Sequence, residues 1–241
     1  MVSKSEIKLI TSLQQKKYRI KHGLFIAEGI KVINEFLNSN FKLHKIFATE
    51  KGLFDDDFAV EQITKDELKK LSALKTPSNT LAVFYIKETN PCPDHEGLVV
   101  ALDDVRDPGN LGTIIRMCDW FGIENLICSA NTVDCYNPKV IQASMGSLTR
   151  VNIIYLDLEH YLKETQKPVF CATMEGMNIY KTEVGNNAIL IMGNEANGIS
   201  PSILSLVSKQ VSIPRFGKLQ ATESLNVATA TAILLSEFKR R

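Results

Sequence analysis

The sequence has few of the features that mark a membrane, secreted or metal-binding protein. No apolar run reaches the length of about 18 residues that a transmembrane helix needs. The amino terminus carries lysines but no apolar run before a small-residue cleavage site, so we expect no signal peptide. The five cysteines include no CxxC pair, and the four histidines show no metal-ligand spacing. These absences predict a cytoplasmic protein with reduced thiols, no membrane segment and no metal.

Positive charge is concentrated at the amino terminus, although the net charge of the chain is only +1. Residues 1–21 carry six Lys and Arg side chains against one acid, Glu6, whereas residues 96–241 carry 13 basic and 15 acidic side chains, a net −2. A basic segment can bind nucleic-acid phosphates, and the alternative is a solvated helix face. The candidate RNA contacts are Lys16, Lys17, Arg19 and Lys21.

A change of composition near residue 93 predicts a boundary between two domains. Residues 88–97 contain two prolines and several acids and lack apolar periodicity, which is typical of a linker. Before this linker, helical patterns lie at 4–16 and 30–38 and strand patterns at 24–27, 45–49 and 81–87. Thr64 and Glu67 form a capping box that predicts a further helix. The predicted domains are therefore residues 1–93 and 94–241.

Apolar strand patterns separated by helical ones predict a parallel sheet in the second domain. The strand patterns lie at 97–105, 125–130, 151–156, 168–173, 188–193 and 210–214. Apolar strands that alternate with helices indicate a sheet covered on both faces, and hence an α/β fold. Ligands of such sheets bind beyond the carboxyl ends of the strands. We therefore expect the functional site in the loops after residues 105, 193 and 213.

The first of these loops leads into a helix that carries an arginine. Pro108 and Gly109 predict a turn, and Asn110 then stands where its side chain can cap the helix. Gly112 and Thr113 leave room beside Arg116, whose planar charged group suits a phosphate or a ribose-phosphate unit. The alternative for the arginine is a surface ion pair with Asp119.

The second and third loops each combine a strand end with polar side chains. In the second, a strand runs through Met192 into Gly193, and Glu195 follows; two glycines around an acid let the backbone approach a ligand closely. The alternative is an ordinary strand-to-helix turn. In the third, Ile213 and Pro214 end a strand. Ser224 is predicted as the N-cap of the last helix, with Leu225 and Asn226 next, and the alternative is a capped helix without a catalytic role.

The three loops together resemble the SpoU family of RNA 2′-O-ribose methyltransferases. The strings DPGNLGTIIR, MGNEANGIS and IPRFG…ESLNVATA occur in the family's order and are spread over residues 97–241. Asp107 stands where the family usually has asparagine, and the loop between Ile213 and Ser224 is longer than the common form. The first half resembles the small ribosomal-protein-like domain that several members use to hold RNA. This part of the resemblance rests on Glu28–Gly29 and on the general order of helices and strands.

The resemblance implies a fold, a cofactor, partners and a site. The fold is an α/β domain with a deep trefoil knot, preceded by the small α/β substrate-binding domain. The cofactor is S-adenosylmethionine, the substrate is RNA (ribosomal RNA, with transfer RNA as the alternative), and the protein is a homodimer. Trp120 is expected at the dimer interface because a lone exposed tryptophan is better explained by an interface than by solvent. The implied catalytic residues are Asn110, Arg116, Glu195, Ser224 and Asn226. The implied cofactor-binding residues are Met192, Gly193, Ile213, Pro214, Ser224 and Leu225.

Two other classes of protein stay open as alternatives. The first is an RNA-binding protein of the same fold without catalysis. The second is a nucleotide-dependent enzyme of the Rossmann type, which the sequence disfavours because it has neither GxGxxG nor GxxxxGK[ST]. Within the resemblance, we expect Arg116 to position a phosphate and to stabilise an alkoxide, because arginine does not readily lose its proton. Glu195 is expected to orient Arg116 or to accept a proton.

Overall fold

The computed structural model describes residues 2–88, 96–219 and 224–240, and the chain forms two compact units. The first unit contains Met1–Glu88 and Asp134–Thr149, and the second contains Thr89–Val133 and Arg150–Arg241. The junction expected near residue 93 lies outside the described residues, so the limits 1–93 and 94–241 stay a prediction. The segment Asp134–Thr149, which that division gives to the second domain, packs with the first unit.

The first unit is built on a four-stranded sheet. Its strands are β1 (Leu24–Glu28), β2 (Leu43–Ala48), β3 (Val60–Gln62) and β4 (Thr80–Tyr85), and its first helices are α1 (Lys4–Ser12), α2 (Lys16–His22), α3 (Ile30–Leu37) and α4 (Lys65–Leu71). The strand order is β1-β4-β2-β3, with β4 antiparallel to β1 and β2, and β3 parallel to β2. The capping box of Thr64 and Glu67 opens α4 as predicted.

The single helix expected over residues 4–16 is two helices. The hydroxyl groups of Thr11 and Ser12 donate to the carbonyls of Ile7 and Leu9 at 2.7 and 2.6 Å. Such bonds compete with the backbone ladder and favour a helix end. The backbone is extended at Gln15, and α2 then starts in a new direction with the buried Arg19 on its inner face.

The second unit is built on a six-stranded sheet in which every pairing is parallel, as the sequence predicts. Its strands are β5 (Val99–Leu102), β6 (Asn125–Ser129), β7 (Asn152–Leu156), β8 (Val169–Asn178), β9 (Ile189–Met192) and β10 (Lys209–Ser212), in the order β10-β8-β9-β5-β6-β7. The other helices of the described residues are α5 (Pro108–Trp120), α6 (Pro138–Ser144), α7 (Leu158–Glu164), α8 (Pro201–Leu204) and α9 (Val227–Arg240). Short 3-10 helices also lie at Ser147–Thr149 and Ile179–Lys181.

Helices cover both faces of this sheet, which confirms the α/β prediction. Val169 and Cys171 of β8 pack in one apolar cluster with α7 and α8. Phe170 lies between them and therefore points to the opposite face, where its ring meets that of Phe238 of α9 at 5.3 Å. Helix α9 also packs against α5. In the described part of the chain, no helix is long and apolar enough to cross a membrane.

The segment Asp134–Thr149 joins the first unit through its side chains. Helix α6 packs against β1 and buries Val140 and Ile141. The ring of Tyr136 lies 4.8 Å from that of Phe25, within a cluster of aromatic rings on one face of the first sheet. Composition and periodicity do not reveal this placement, because the segment is continuous in sequence with strands of the second sheet.

Candidate functional site

The carboxyl ends of β9 and β10, together with Ala172–Met174 in the middle of β8, border a cavity of about 920 Å³ in the second unit. The loop after β9, the loop after β10 and the start of α9 complete its wall. The wall includes Glu195 and all the residues predicted to bind a cofactor: Met192, Gly193, Ile213, Pro214, Ser224 and Leu225. The structure therefore brings the second and third sequence motifs to one cavity at the sheet edge where parallel sheets hold their ligands.

Gly193 occupies a position where the chain leaves no space for a side chain. A Cβ atom there would lie 2.6 Å from the carbonyl carbon and oxygen of Gly198. Asn194 and Gly198 exchange two backbone hydrogen bonds of 2.9 Å, and Gly198 has a φ of +68°. The turn that carries Glu195 is thus closed tightly, and its backbone forms part of the cavity wall.

Gly193→Ala is expected to weaken S-adenosylmethionine binding by about tenfold or more, because the added methyl group forces Gly198 and the cavity wall to move. Isothermal titration calorimetry on the folded variant measures this loss. Gly185→Ala is the matched control, since its Cβ meets nothing within 4 Å, and its affinity should equal that of the wild type. Unchanged affinity of Gly193→Ala would show that this turn does not contact the cofactor.

Asn226, and not Ser224, is the N-cap of α9. Its Oδ1 accepts hydrogen bonds from the backbone amides of Ala228 and Thr229 at 3.0 and 3.2 Å. The helix therefore begins at Val227, and Ser224 lies before it on the cavity wall. The prediction of Ser224 as the cap is wrong because asparagine caps a helix at least as well as serine and stands closer to the first turn.

This cap fixes the orientation of a chain of polar side chains. Because Oδ1 of Asn226 faces the helix, its Nδ2 points outward and donates to Oδ1 of Asn110 at 2.8 Å. The Nδ2 of Asn110 then donates to Oε1 of Glu195 at 2.8 Å. Each amide has one donor end and one acceptor end, so the cap determines that the Glu195 carboxylate is the final acceptor. Residues from all three loop motifs meet in this chain.

Asp107 caps α5 in place of Asn110. Its Oδ1 accepts from the backbone amide of Asn110 at 2.8 Å, and the helix begins at Pro108. The expectation that Asn110 caps this helix is therefore wrong. Aspartate and asparagine are about equally good caps, so the departure from the family's usual residue at position 107 preserves the helix start. It leaves the side chain of Asn110 free to bond Asn226 and Glu195.

Three polar residues that sequence reasoning missed hold the Glu195 turn in place. Oδ1 of Asn194 accepts from the amides of Ala196 and Asn197, and its Nδ2 donates to the carbonyl of Asp104 at 2.7 Å. Asp104 has a backbone φ of 59°, a strained value for a residue other than glycine. The buried Asp103 accepts from the amide of Ser200 at 2.7 Å. Two consecutive acids at the end of an apolar strand are the signal that could have revealed Asp103 and Asp104.

Arg116 stands apart from this chain of bonds. It is exposed, it does not line the cavity, and it makes no hydrogen bond or ion pair with any residue that the structure describes. It lies roughly 9 Å along the helix axis from Asn110. The alternative pairing with Asp119 does not form, because Asp119 is bonded to Arg150 at 2.9 Å. The role of Arg116 therefore stays a prediction.

The basic residues predicted to contact RNA divide into two groups. Lys16, Lys17 and Lys21 are exposed on α2. Arg19 is only 2% exposed, and its guanidinium donates to Asp134 and to the carbonyls of Leu13 and Gln14. Arg19 thus holds the first unit together, and the prediction that it binds RNA is wrong, because it lies on the inner face of a short helix. Among the described residues, no cluster of His, Cys, Asp or Glu could hold a metal ion.

Comparison with known proteins assigns both parts of the chain. Residues 97–236 match the SpoU rRNA Methylase family, and residues 4–82 match the MRM3-like substrate binding domain. Because the first match spans more than half of the sequence, the chain belongs to the SpoU rRNA methylase family. This confirms the resemblance seen in the three loop motifs.

Several relatives match along nearly the whole chain. A solved structure from Porphyromonas gingivalis, described as a candidate RNA methyltransferase of the TrmH family, is 36% identical, covers 100% of this chain and 99% of its own, and has a TM-score of 0.88. An AdoMet-bound rRNA methyltransferase from Sinorhizobium meliloti is 26% identical, with 100% and 97% covered and a TM-score of 0.86. A 23S rRNA (guanosine(2553)-2′-O)-methyltransferase of Bacillus subtilis (strain 168) is 28% identical over 92% of this chain and 91% of its own length.

Proposed function

We propose that this protein transfers a methyl group from S-adenosylmethionine to a ribose 2′-hydroxyl of RNA, with ribosomal RNA as the substrate. Family membership and the named relatives support the reaction class. The observation that carries the proposal is the Glu195 carboxylate on the cavity wall, oriented by hydrogen bonds that start at the N-terminus of α9. Transfer RNA is the alternative substrate.

The cavity fits S-adenosylmethionine. A wall that combines the apolar residues Met192 and Ile213 with Gly193 suits an adenosine group, and no glycine-rich phosphate loop is needed because the cofactor carries no phosphate. When bound, the cofactor supplies an electrophilic methyl group on its sulfonium. Ser224 and Leu225, where the chain leads into α9, would close the wall beside it.

A ribose hydroxyl is a poor nucleophile, so the protein must position it and remove its proton. Asn110 engages one carboxylate oxygen of Glu195, which leaves the second oxygen to accept that proton. Arginine is a poor general base; from the exposed side of α5, Arg116 would hold the phosphate next to the target ribose and stabilise the developing alkoxide. Asn226 keeps Asn110 in the orientation that directs its amide at Glu195.

Methyl transfer by the purified protein tests this proposal. Incubation with S-adenosylmethionine and ribosomal RNA should produce 2′-O-methylation, and mapping the methylated riboses in total RNA with and without the gene should identify the site. Methylation of transfer RNA alone would replace the substrate and keep the reaction. Binding of both cofactor and RNA without any transfer would support the non-catalytic alternative.

The family resemblance supports three finer proposals. Residues 94–241 would form the catalytic domain, with the C-terminal segment threaded as a deep trefoil knot, and residues 1–93 would form the RNA-binding domain. The protein would act in the cytoplasm, as expected from a sequence whose cysteines form no CxxC pair. An experimental structure traced through residues 89–95 and 220–223 tests the knot and the junction, and cell fractionation tests the compartment.

We further propose that the protein is a homodimer that buries Trp120. This side chain is 82% exposed at the end of α5, and a large exposed aromatic ring is typical of an interface. Light scattering at micromolar concentration should therefore give twice the chain mass of 26.9 kDa. Trp120 is the single tryptophan of the sequence, so its emission should shift to the red on dilution. A monomeric mass with red-shifted emission at every concentration would contradict the dimer.

A further inference from the structure

A cluster of three exposed side chains lies at one end of the sheet in the first unit. We call Lys42, His44 and Tyr85 the Tyr85 platform. Nδ1 of His44 lies 3.1 Å from the hydroxyl of Tyr85, and the two rings are nearly perpendicular, at 87° with centroids 5.4 Å apart. The ammonium of Lys42 lies 5.4 Å from the centre of the Tyr85 ring. The tyrosine ring is thus held by a polar neighbour and accompanied by a cation.

Core packing does not account for this arrangement. Residues Leu81–Phe84 of the same strand are at most 1% exposed, whereas Tyr85, the last residue of β4, is 38% exposed. Lys42 and His44 are also exposed. An oriented aromatic ring at the surface offers a flat apolar face to a ligand without a large entropy cost on binding.

The neighbouring charges favour an anionic ligand. Two acids on the adjoining elements, Glu6 of α1 and Glu61 of β3, are both bonded to the ammonium of Lys45. The hydrogen bond from Lys45, with help from Ser3, lowers the pKa of Glu6 to about 2. These carboxylates are therefore occupied within ion pairs, and Lys42 makes no ion pair with a described residue.

The platform lies at the same end of the sheet as the C-terminus of the basic helix α2. The amide of Ile86 donates to the carbonyl of Gly23, the residue that ends α2, at 2.8 Å. The amide of Tyr85 donates to the carbonyl of Lys42 at 2.9 Å. Lys21 and His22, in the last turn of α2, are exposed at this end. An RNA strand that contacts α2 therefore has an aromatic ring within reach.

We propose that the Tyr85 platform stacks an unpaired base of the RNA substrate, while Lys42 turns its ammonium to an adjacent phosphate. This inference rests on the proposed function, because it assigns the substrate contact of that same reaction. Every base has a face that can stack on tyrosine, whereas the bases of an A-form duplex are covered by their neighbours. The platform therefore selects RNA with a loop or bulge near the target over fully paired RNA.

Binding of two RNA probes to the full-length protein tests the platform. One is a hairpin whose loop carries a single 2-aminopurine, and the other is a fully paired duplex of the same length. Tyr85→Ala should weaken binding of the loop probe by roughly 5- to 150-fold, the range for loss of one stacked base, and abolish quenching of 2-aminopurine. The duplex affinity and the salt slope should not change. Lys42→Ala should lower the salt slope for the loop probe by about 0.7–0.9.

Two conservative variants guard against loss of folding. Tyr85→Phe keeps the ring and should bind and quench nearly as the wild type does, whereas Tyr85→Leu keeps apolar bulk and should resemble Tyr85→Ala. Lys69→Ala, an exposed lysine on α4, should change neither probe. Loop binding and quenching by Tyr85→Leu at wild-type levels would overturn the proposal, and so would equal losses on both probes. A wild type that quenches the loop probe but transfers no methyl group would refute the proposed function and leave the platform standing.

Discussion

Glu195→Gln is expected to lower the turnover of methyl transfer by about 10²–10⁴-fold, the usual contribution of a positioned general base. The amide has the same shape and can still accept the hydrogen bond from Asn110, but it cannot take a proton from the ribose hydroxyl. Since the cavity wall keeps its form, S-adenosylmethionine should bind within a few-fold of its wild-type affinity. Single-turnover methyl transfer and calorimetry on the same preparation separate the two effects.

The comparison with Asn110→Ala makes this test sharper. If Asn110 acts only by orienting the carboxylate, the double variant should be little worse than Glu195→Gln alone, because residues that act as one unit are strongly non-additive. Glu164→Gln, at an exposed position on α7, is the matched control and should turn over normally. Wild-type turnover by Glu195→Gln would exclude this carboxylate as the base.

Replacing Lys16, Lys17 and Lys21 together by alanine is expected to weaken RNA binding by orders of magnitude. Residues 96–241 carry a net charge of −2, so the second half contributes little attraction to a polyanion. If each lysine contacts one phosphate, the slope of log affinity against log salt should fall by about 2–3. Filter binding over a range of salt concentrations measures both quantities.

Two variants frame this experiment. Arg116→Ala should behave oppositely, with turnover abolished and RNA affinity nearly unchanged.

The matched control is the triple alanine variant of Lys65, Lys69 and Lys70, which are exposed on α4. It removes the same charge from another helix and should leave RNA affinity near the wild-type value. Arg19 is left intact, because its loss would strand the Asp134 carboxylate at a cost of about 3–5 kcal/mol. If the α2 variant keeps wild-type affinity and salt slope, its lysines are only a solvated face.

Removal of residues 1–93 is a poorer test than substitution. Helix α6 buries Val140 and Ile141 against β1, so the deletion would expose an apolar surface within the remaining chain. Any loss of RNA binding would then be mixed with loss of folding.

The sequence predicts the second sheet well because its strands are apolar on both faces and helices separate them. All six strands form near their predicted positions, and the three strand-end loops reach one edge of the sheet. The capping box at Thr64 and Glu67 is also predicted, since it is a local pattern of side chain and backbone that needs no distant partner. The sheet and the position of its site loops therefore follow largely from local periodicity, whereas the cofactor-binding residues are implied by the family resemblance.

The side chains whose roles the sequence predicts wrongly are of two kinds. Some contact partners that are distant in the sequence, and others lie next to a second residue that can cap the same helix equally well. Asn110 and Asp107, like Ser224 and Asn226, are pairs of good capping residues only two or three positions apart, and the sequence alone does not decide between them. Arg19 is indistinguishable from its lysine neighbours until Asp134, 115 positions later, is placed beside it. The early break in the first helix depends on hydroxyl groups that bond the backbone.

The packing of Asp134–Thr149 with the first unit has a topological consequence. The chain passes between the two units three times, near residues 89, 134 and 150. The units are therefore joined by three covalent connections of the main chain instead of one. A single cut of the chain at the first of these crossings should therefore nick the protein without releasing a free fragment, since Asp134–Thr149 still packs with the first unit. The segment Asp134–Thr149 also follows β6 and precedes β7 in the chain. Loss of structure in the first unit should therefore disturb these two strands of the second, and we expect the two units to unfold together.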